Sequence, residues 1–228
     1  EYWALVFDIA TKNSLDRVKR CTQIMGRTDA DALTAAQIFY PVMQCADIFF
    51  LGADICQLGM DQRKVNMLAR EYCAATKRRF KPIVLSHHMI AGLGEGQAKM
   101  SKSDPSSAIY VEDSEADVNA KIKKAFCPPG VVDGNPCLEY VRTIIFADTE
   151  VETSFEVVRP EQHGGSVAYT CYADVERDFV SGALHPGDLK AALARALNAM
   201  IKPIRDHFAN NAEARALLER VRSFSVTR

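Results

Sequence analysis

The sequence predicts an α/β fold in which a parallel-sheet region is followed by a mainly α-helical region with a small hairpin. Apolar strand patterns over 53–57 and 81–86 flank a helical pattern over 61–74, which indicates a β-α-β unit. Further along the chain the apolar spacing is mostly helical. We therefore expect two domains, covering residues 1–112 and 113–228.

The helices of the first region have recognisable starts. Ser14 is a candidate N-cap for a helix that runs to about Met25, where Gly26 would end it. A second helix is predicted over 35–51, with Pro41 accommodated as a kink or a local restart.

The second region begins with a helix capped by Ser114, on which Val118, Ile122 and Phe126 recur at every fourth position. Two segments in which apolar and polar residues alternate lie on either side of His163-Gly164-Gly165 and predict a β-hairpin. The hairpin strands are predicted at 154–158 and 167–171, and the remaining helices at 136–147, 172–180, 187–208 and 212–223.

Composition limits the classes of function. With 228 residues and 48% hydrophobic content, the chain can form a packed core. Its formal net charge of −1 excludes a general basic surface, so any RNA contact must be local. The basic runs at 77–81 and 121–124 are candidates, although such runs are usually solvated faces.

Seven cysteines are scattered without a C-x-x-C pair, which argues against a disulfide framework or a zinc site and predicts small core residues in a reducing compartment. They are Cys21, Cys45, Cys56, Cys73, Cys127, Cys137 and Cys171. No apolar run reaches the roughly eighteen residues that span a bilayer, and no signal sequence opens the chain. We expect a cytoplasmic protein that contacts no membrane and binds no metal of its own.

A glycine-rich run over 92–98 precedes the residues KMSKS, which are Lys99 to Ser103. Two ammonium groups three residues apart, with small hydroxyl neighbours, suit a polyphosphate whose charge grows during reaction. The motif indicates an ATP-binding loop, and the alternative is a solvated basic turn.

A polar row interrupts the otherwise apolar helix predicted over 35–51. Tyr40, Gln44 and Asp47 are spaced i, i+4 and i+7, so they share one helix face. A small ligand with an ammonium and a hydroxyl group would pair with them, while bonds to neighbouring backbone are the structural alternative.

Gly59-Met60-Asp61-Gln62 follows the first predicted strand, at the position where open α/β sheets bind ligands. Asp61 is a candidate ligand contact and equally a candidate helix cap.

Five segments together resemble the tyrosyl-tRNA synthetases, class I aminoacyl-tRNA synthetases of the archaeal and eukaryotic type. They are YPVMQCAD at 40–47, LGMDQRK at 58–64, KMSKS, KIKKAFCPPG at 121–130 and HPGDLK at 185–190. The resemblance covers essentially the whole chain and looks closest to plant or other eukaryotic cytosolic enzymes.

The resemblance implies a Rossmann-like catalytic domain and an α-helical anticodon-binding domain. No HIGH-type motif occurs in the sequence, and His87-His88-Met89-Ile90 follows the Gly-Met-Asp-Gln segment where HIGH should precede it. We therefore expect the chain to carry the second half of the catalytic domain and to be incomplete for catalysis.

The resemblance also implies roles in the tyrosine site. Tyr40, Gln44 and Gln62 would surround the ammonium group of tyrosine, and Asp47 would accept a hydrogen bond from its phenol. Gly59 and Asp61 would contact the ribose of ATP.

In the KMSKS loop, Lys99 and Lys102 would hold the pyrophosphate beside Ser101, and Met100 would pack near adenine. ATP would enter with Mg²⁺ as a substrate, and no bound prosthetic group is expected.

In the second domain, His163 stands where relatives stack an aromatic ring on the first anticodon base, and His185 and Asp188 would contact that base. The alternative is that Asp188 only stabilises the start of its helix.

The function implied is a tyrosine–tRNA ligase that acts on tyrosine, ATP and tRNA(Tyr). A homodimer with its contact between Ser14 and Phe50 is expected for the complete enzyme. Two alternatives remain open here: a tryptophanyl-type synthetase, and a non-catalytic synthetase half that serves as an interaction module.

Overall fold

The computed structural model describes residues 1–25, 32–100, 104–147 and 153–224. The chain forms two compact units, Glu1–Met89 and Ile90–Arg228. Each unit has a hydrophobic core of its own. The α/β fold class predicted from the sequence is confirmed.

The first unit contains a two-stranded parallel sheet with helices around it. The two strands pair from Ile55 opposite Ile83 to Gly59 opposite His87. The elements in order are α1 (Tyr2–Thr11), α2 (Leu15–Lys19), a 3₁₀ turn (Thr22–Met25), α3 (Ala35–Phe50), β1 (Ile55–Gly59), a 3₁₀ turn (Met60–Gln62), α4 (Arg63–Ala75) and β2 (Ile83–His87). The predicted β-α-β unit is thus confirmed as β1-α4-β2, with both strands displaced by about two residues toward the C-terminus.

The second unit is mainly helical, and its core contains Tyr140, Phe155, Phe179 and Leu193. Its elements are a 3₁₀ turn (Pro105–Ser107), α5 (Glu115–Lys124), α6 (Pro136–Tyr140) continued by a π turn (Val141–Ile145), β3 (Phe155–Val157), a 3₁₀ turn (Glu161–His163), β4 (Val167–Tyr169), α7 (Tyr172–Ser181), α8 (Pro186–Asn210) and α9 (Ala212–Ser223). The predicted hairpin is confirmed, because β3 and β4 pair antiparallel.

The structure corrects the helix prediction in three places. Helix α1 was not anticipated, since nothing marks its start at the beginning of the sequence. The helix predicted from Ser14 to Met25 is divided into α2 and a 3₁₀ turn, although Ser14 does cap α2 by accepting a hydrogen bond from the Arg17 N–H at 3.2 Å. The helix predicted over 136–147 is a single α-turn followed by the π turn.

The unit boundary falls after Met89, whereas the predicted domain boundary follows residue 112. Leu93 is 2% exposed and belongs to the core of the second unit, which places the glycine-rich loop on that side. The assignment of 1–112 and 113–228 to two functional domains stays a prediction.

Five of the cysteines are buried, as predicted for core residues. Cys127 is half-buried, and the prediction is wrong for Cys171, which is exposed and donates to Oδ2 of Asp174 at 3.3 Å. In the part of the chain that the structure describes, no helix is long and apolar enough to cross a membrane.

Candidate functional site

Helix α3, which carries the polar row, has a well-defined start. The Thr34 side chain accepts from the Gln37 N–H at 3.3 Å, and the Gln37 side chain accepts from the Thr34 N–H at 2.9 Å. This capping box fixes the helical phase of every later residue. The helix continues through Pro41 without a break.

The polar row of α3 faces a cavity of about 600 Å³ in the first unit. Tyr40, Gln44 and Asp47 all line it, as the i, i+4, i+7 spacing predicts, and Gln62 lines it from the 3₁₀ turn after β1. The other lining residues are mostly apolar, namely Met43, Ile48, Leu51, Ala53, Ile55, Cys56, Gln57 and Leu58. An apolar cavity with a few convergent polar groups is typical of small-molecule sites.

The two amide side chains are joined to each other. Nε2 of Gln44 donates to Oε1 of Gln62 at 2.7 Å. This bond leaves the carbonyl oxygen of Gln44 as an acceptor and the amide nitrogen of Gln62 as a donor. The pair therefore offers both kinds of hydrogen-bonding group to a ligand.

The carboxylate of Asp47 has a partner that the sequence analysis did not anticipate. The hydroxyl of Tyr2 donates to Oδ1 of Asp47 at 2.6 Å and lies 3.2 Å from the carbonyl oxygen of Met43. Burial, and then the hydrogen bond to Asp47, raise the pKa of Tyr2 to about 12. Tyr2 therefore remains a hydrogen-bond donor at neutral pH.

Gly59 and Asp61 lie at the carboxyl end of β1. A Cβ atom on Gly59 would stand 2.2 Å from Sδ of Met89 and 3.0 Å from Oδ1 of Asp61, so a larger residue at this position would force the Met89 side chain to move. Gly59 occupies the N-cap position of the 3₁₀ turn, and Asp61 lies inside the turn. The proposed capping role of Asp61 is thus wrong, whereas ribose contact by either residue stays a prediction.

The glycine-rich loop before KMSKS is closed by Gln97. Its side-chain oxygen accepts from the Gly94 N–H at 2.8 Å, and its backbone carbonyl accepts from the Gly92 N–H at 2.9 Å. Met100 packs against the core of the second unit. Lys99 is exposed, and Ser101 and Lys102 lie outside the described residues.

His185 and Asp188 meet at the start of α8. Nδ1 of His185 accepts from the Gly187 N–H at 3.0 Å, so this histidine is the N-cap, and Asp188 lies in the first helical turn. A cavity of about 650 Å³ opens beside them, lined by Asn119, Lys123, His185, Pro186, Gly187, Lys190, Ala191 and Ala194.

His163 is exposed in the 3₁₀ turn between β3 and β4. Arg159 ties this hairpin to the segment before α8, because its guanidinium donates to the carbonyl oxygens of Gly165 at 2.7 Å and Ala183 at 2.8 Å. Arg159 therefore anchors the hairpin to the loop that leads into His185. No contact between His163 and His185 is found among the described residues.

Sequence reasoning missed one cationic surface in the first unit. Arg17, Arg20, Arg63 and Lys64 line a cavity of about 430 Å³. Arg17 forms an ion pair with Glu71 at 2.8 Å, and the cavity lining contains no carboxylate. These residues come from two segments about forty positions apart, so only the fold reveals the cluster.

Comparison with known proteins finds relatives along the whole chain. The profile of the family described as tRNA synthetases class I (W and Y) matches residues 1–202. Tyrosine–tRNA ligase 1, cytoplasmic, of Arabidopsis thaliana is 60% identical over the whole chain. The chain spans 58% of the length of that relative and 30% of tyrosine–tRNA ligase 2 of the same plant.

Solved structures agree as well. The tyrosyl-tRNA synthetase of Leishmania major in complex with tyrosinol has a TM-score of 0.83 at 48% identity, over 97% of this chain and 42% of that protein. The Pyrococcus horikoshii enzyme complexed with L-tyrosine has a TM-score of 0.82 at 39% identity, over 96% of this chain and 65% of that protein. The tryptophanyl-tRNA synthetase of Aeropyrum pernix, at 17% identity, shares the fold. The motifs, the fold and these matches lead to one conclusion: the chain belongs to the family of class I tRNA synthetases of the tryptophan and tyrosine group.

Proposed function

We propose that this chain is part of a tyrosine–tRNA ligase, which activates tyrosine with ATP and transfers it to tRNA(Tyr). The observation that carries the proposal is the cavity in which a carboxylate, two amides and a hydroxyl converge among apolar side chains. The names of the relatives, including structures bound to tyrosinol and L-tyrosine, support the same substrate.

Tyrosine has a polar group at each end of an apolar ring, and the cavity has matching groups. Asp47 and Tyr40 are seven residues apart on α3, which is about 10 Å along the helix axis. Asp47 accepts the phenol hydrogen bond, while Tyr40, Gln44 and Gln62 receive the ammonium group. A substrate without the phenol leaves Oδ2 of Asp47 without the hydrogen bond that tyrosine donates, which is costly in a partly desolvated site.

Activation requires no protein nucleophile. An oxygen of the tyrosine carboxylate attacks the α-phosphorus of Mg²⁺-bound ATP, and pyrophosphate leaves. Gly59 and Asp61 contact the ribose and Met100 packs near adenine, while Lys99, Ser101 and Lys102 stabilise the charge of the leaving pyrophosphate. Positioning and charge stabilisation provide the rate enhancement.

Transfer consumes the adenylate. A hydroxyl of the terminal ribose of tRNA(Tyr) attacks the carbonyl carbon of tyrosine, and AMP leaves. His163, His185 and Asp188 recognise the first anticodon base, and Lys123 and Lys190 lie beside His185 where a phosphate can approach. Residues 1–112 thus act in catalysis and residues 113–228 in anticodon binding.

The complete enzyme acts as a homodimer in the cytoplasm, and the names of its plant relatives support the cytoplasmic location. The contact is predicted between Ser14 and Phe50, and an aromatic cluster on α1 and α3 supports a protein contact that also includes α1. Trp3 is 53% and Phe7 54% exposed, and the Phe7 ring lies edge-on to Phe39, with their centroids 6.1 Å apart.

The test is amino-acid-dependent exchange of pyrophosphate into ATP by the full-length protein that contains this chain. Tyrosine should support exchange, whereas tryptophan should not, and phenylalanine should do so only with a far lower kcat/KM. Asp47→Asn should reduce the use of tyrosine, while Asp54→Asn, an exposed carboxylate of the same unit outside the cavity, should not. Exchange driven by tryptophan, or equal rates in both variants, would contradict the proposal.

A further inference from the structure

In the proposed function, the carboxylate of Asp47 selects the substrate. The same carboxylate accepts a hydrogen bond from Tyr2. Tyr2 is the first residue of α1, and its hydroxyl lies 2.6 Å from Oδ1 of Asp47 on α3. Tyr2 is not among the residues that line the cavity. Its link to the cavity is the hydrogen bond to Asp47.

The ring of Tyr2 contacts two other aromatic rings. Its ring meets the Phe50 ring edge-on with centroids 5.1 Å apart, and Phe50 lies one turn after Asp47 on α3. The Trp3 ring also meets the Tyr2 ring edge-on, with centroids 6.1 Å apart. Contact with two neighbouring rings restricts the motion of the Tyr2 ring and favours the position in which its hydroxyl reaches the carboxylate.

A carboxylate has two oxygens, and fixing one of them orients the other. Without a partner, an aspartate side chain rotates freely about its last bond, and ordering it opposes ligand binding. The hydrogen bond from Tyr2 removes that cost in advance and leaves Oδ2 to accept a bond from the ligand.

We propose that Tyr2 is a positioning residue for tyrosine selection, which holds Oδ1 of Asp47 so that Oδ2 receives the phenol of the substrate. The inference rests on the proposed function. It adds a residue that lies 45 positions from Asp47 and outside every motif of the family resemblance.

The chain offers a matched control. The hydroxyl of Tyr72 on α4 donates to Oδ2 of Asp8 on α1 at 2.5 Å. Both contacts join a phenol to a carboxylate across two helices of the same unit, but neither Tyr72 nor Asp8 lines the cavity. Replacing either tyrosine with phenylalanine keeps the ring and removes the hydroxyl.

The experiment measures pyrophosphate exchange by the full-length protein with tyrosine and with phenylalanine. Tyr2→Phe should lower the ratio of kcat/KM for tyrosine to that for phenylalanine by about tenfold or more, which is the range for one charge-assisted hydrogen bond. The loss should reside in KM for tyrosine, with KM for ATP unchanged. Tyr72→Phe should leave the ratio at its original value.

Two outcomes separate this inference from the proposed function. If Asp47→Asn abolishes the preference for tyrosine and Tyr2→Phe preserves it, the positioning role of Tyr2 is wrong and the proposed function stands. If Asp47→Asn also preserves the preference, the proposed role of Asp47 is wrong. Equal losses for tyrosine and phenylalanine in Tyr2→Phe would make Tyr2 a packing residue only.

Discussion

At the scale of single residues, the site depends on contacts of very different sequence separation. The row of Tyr40, Gln44 and Asp47 was predictable because a helix alone sets its geometry. The bond between Gln44 and Gln62 crosses 18 positions, and the bond between Tyr2 and Asp47 crosses 45. No local pattern encodes such pairs, so the structure was needed to find them.

Gly59 provides a residue-scale test of packing. Gly59→Ala should destabilise the first unit by about 1–3 kcal/mol, because the new methyl group would lie 2.2 Å from Sδ of Met89. Urea unfolding of the single variants and of the Gly59→Ala, Met89→Ala double variant measures the effect. The double variant should lose less free energy of unfolding than the two single variants lose in total, because Met89→Ala leaves room for the new methyl group. Strict additivity would show that Met89 is not the obstacle.

Lys102 tests the chemistry of activation. In the full-length protein, Lys102→Ala should slow adenylate formation by roughly a hundredfold, because it removes a charge that matters most as pyrophosphate leaves. KM for tyrosine should change little. Lys202→Ala, an exposed lysine of α8, is the control. A defect limited to KM for tyrosine would rule out the pyrophosphate role.

At the scale of elements, the start of α8 combines structural and functional roles in one side chain. Nδ1 of His185 caps the helix by accepting from the Gly187 N–H. His185→Ala should therefore lower the free energy of unfolding by about 1 kcal/mol, and His185→Asn should retain a capping acceptor and most of the stability.

The two variants also separate capping from RNA recognition. If the imidazole contacts the anticodon, both should charge tRNA(Tyr) poorly while tyrosine-dependent pyrophosphate exchange stays normal. Full charging by His185→Asn would mean that the residue only caps the helix.

Helices that have an N-cap residue or a regular spacing of apolar residues could be predicted from the sequence. Elements whose geometry depends on tertiary packing could not. Ser114 and Asp117 form a capping box at α5 that is readable in the sequence. The π turn at Val141–Ile145 could not be predicted from the spacing of apolar residues. A π turn contains one more residue than an α turn, and nothing in the amino-acid composition of the segment marks that insertion.

At the scale of the whole molecule, tyrosine hydroxyls donate to carboxylates in both units, from the half-buried Tyr2 and the buried Tyr169. Tyr2 donates to Asp47 in the first unit, and Tyr169 donates to Asp178 at 3.1 Å in the second. Burial, followed by these hydrogen bonds, raises the pKa of each tyrosine from 10.0 to about 12.

This shift predicts the response to alkaline pH. The unfolded chain loses these protons near its ordinary pKa of 10.0, and the folded chain holds them to about 12, so the free energy of unfolding should fall as pH rises across that window. Burial of the Cys45 thiol raises its pKa from 9.0 to about 12. This thiol should therefore contribute a further decrease in the free energy of unfolding from about pH 9 upward. Urea unfolding at about pH 8 and about pH 11 should show the decrease, and Tyr169→Phe should reduce it. Equal stability at both values would contradict the assignment.

We expect the cavity on α3 to bind tyrosine with its phenol at Asp47 and its ammonium group at Gln44, Gln62 and Tyr40. A crystal structure of the full-length protein with L-tyrosine would show this binding mode. The phenol oxygen should lie within about 3 Å of Oδ2 of Asp47, with Tyr2 still bound to Oδ1. Tyrosine bound outside this cavity, or inside it with the ammonium group at Asp47, would show that the proposed site is wrong.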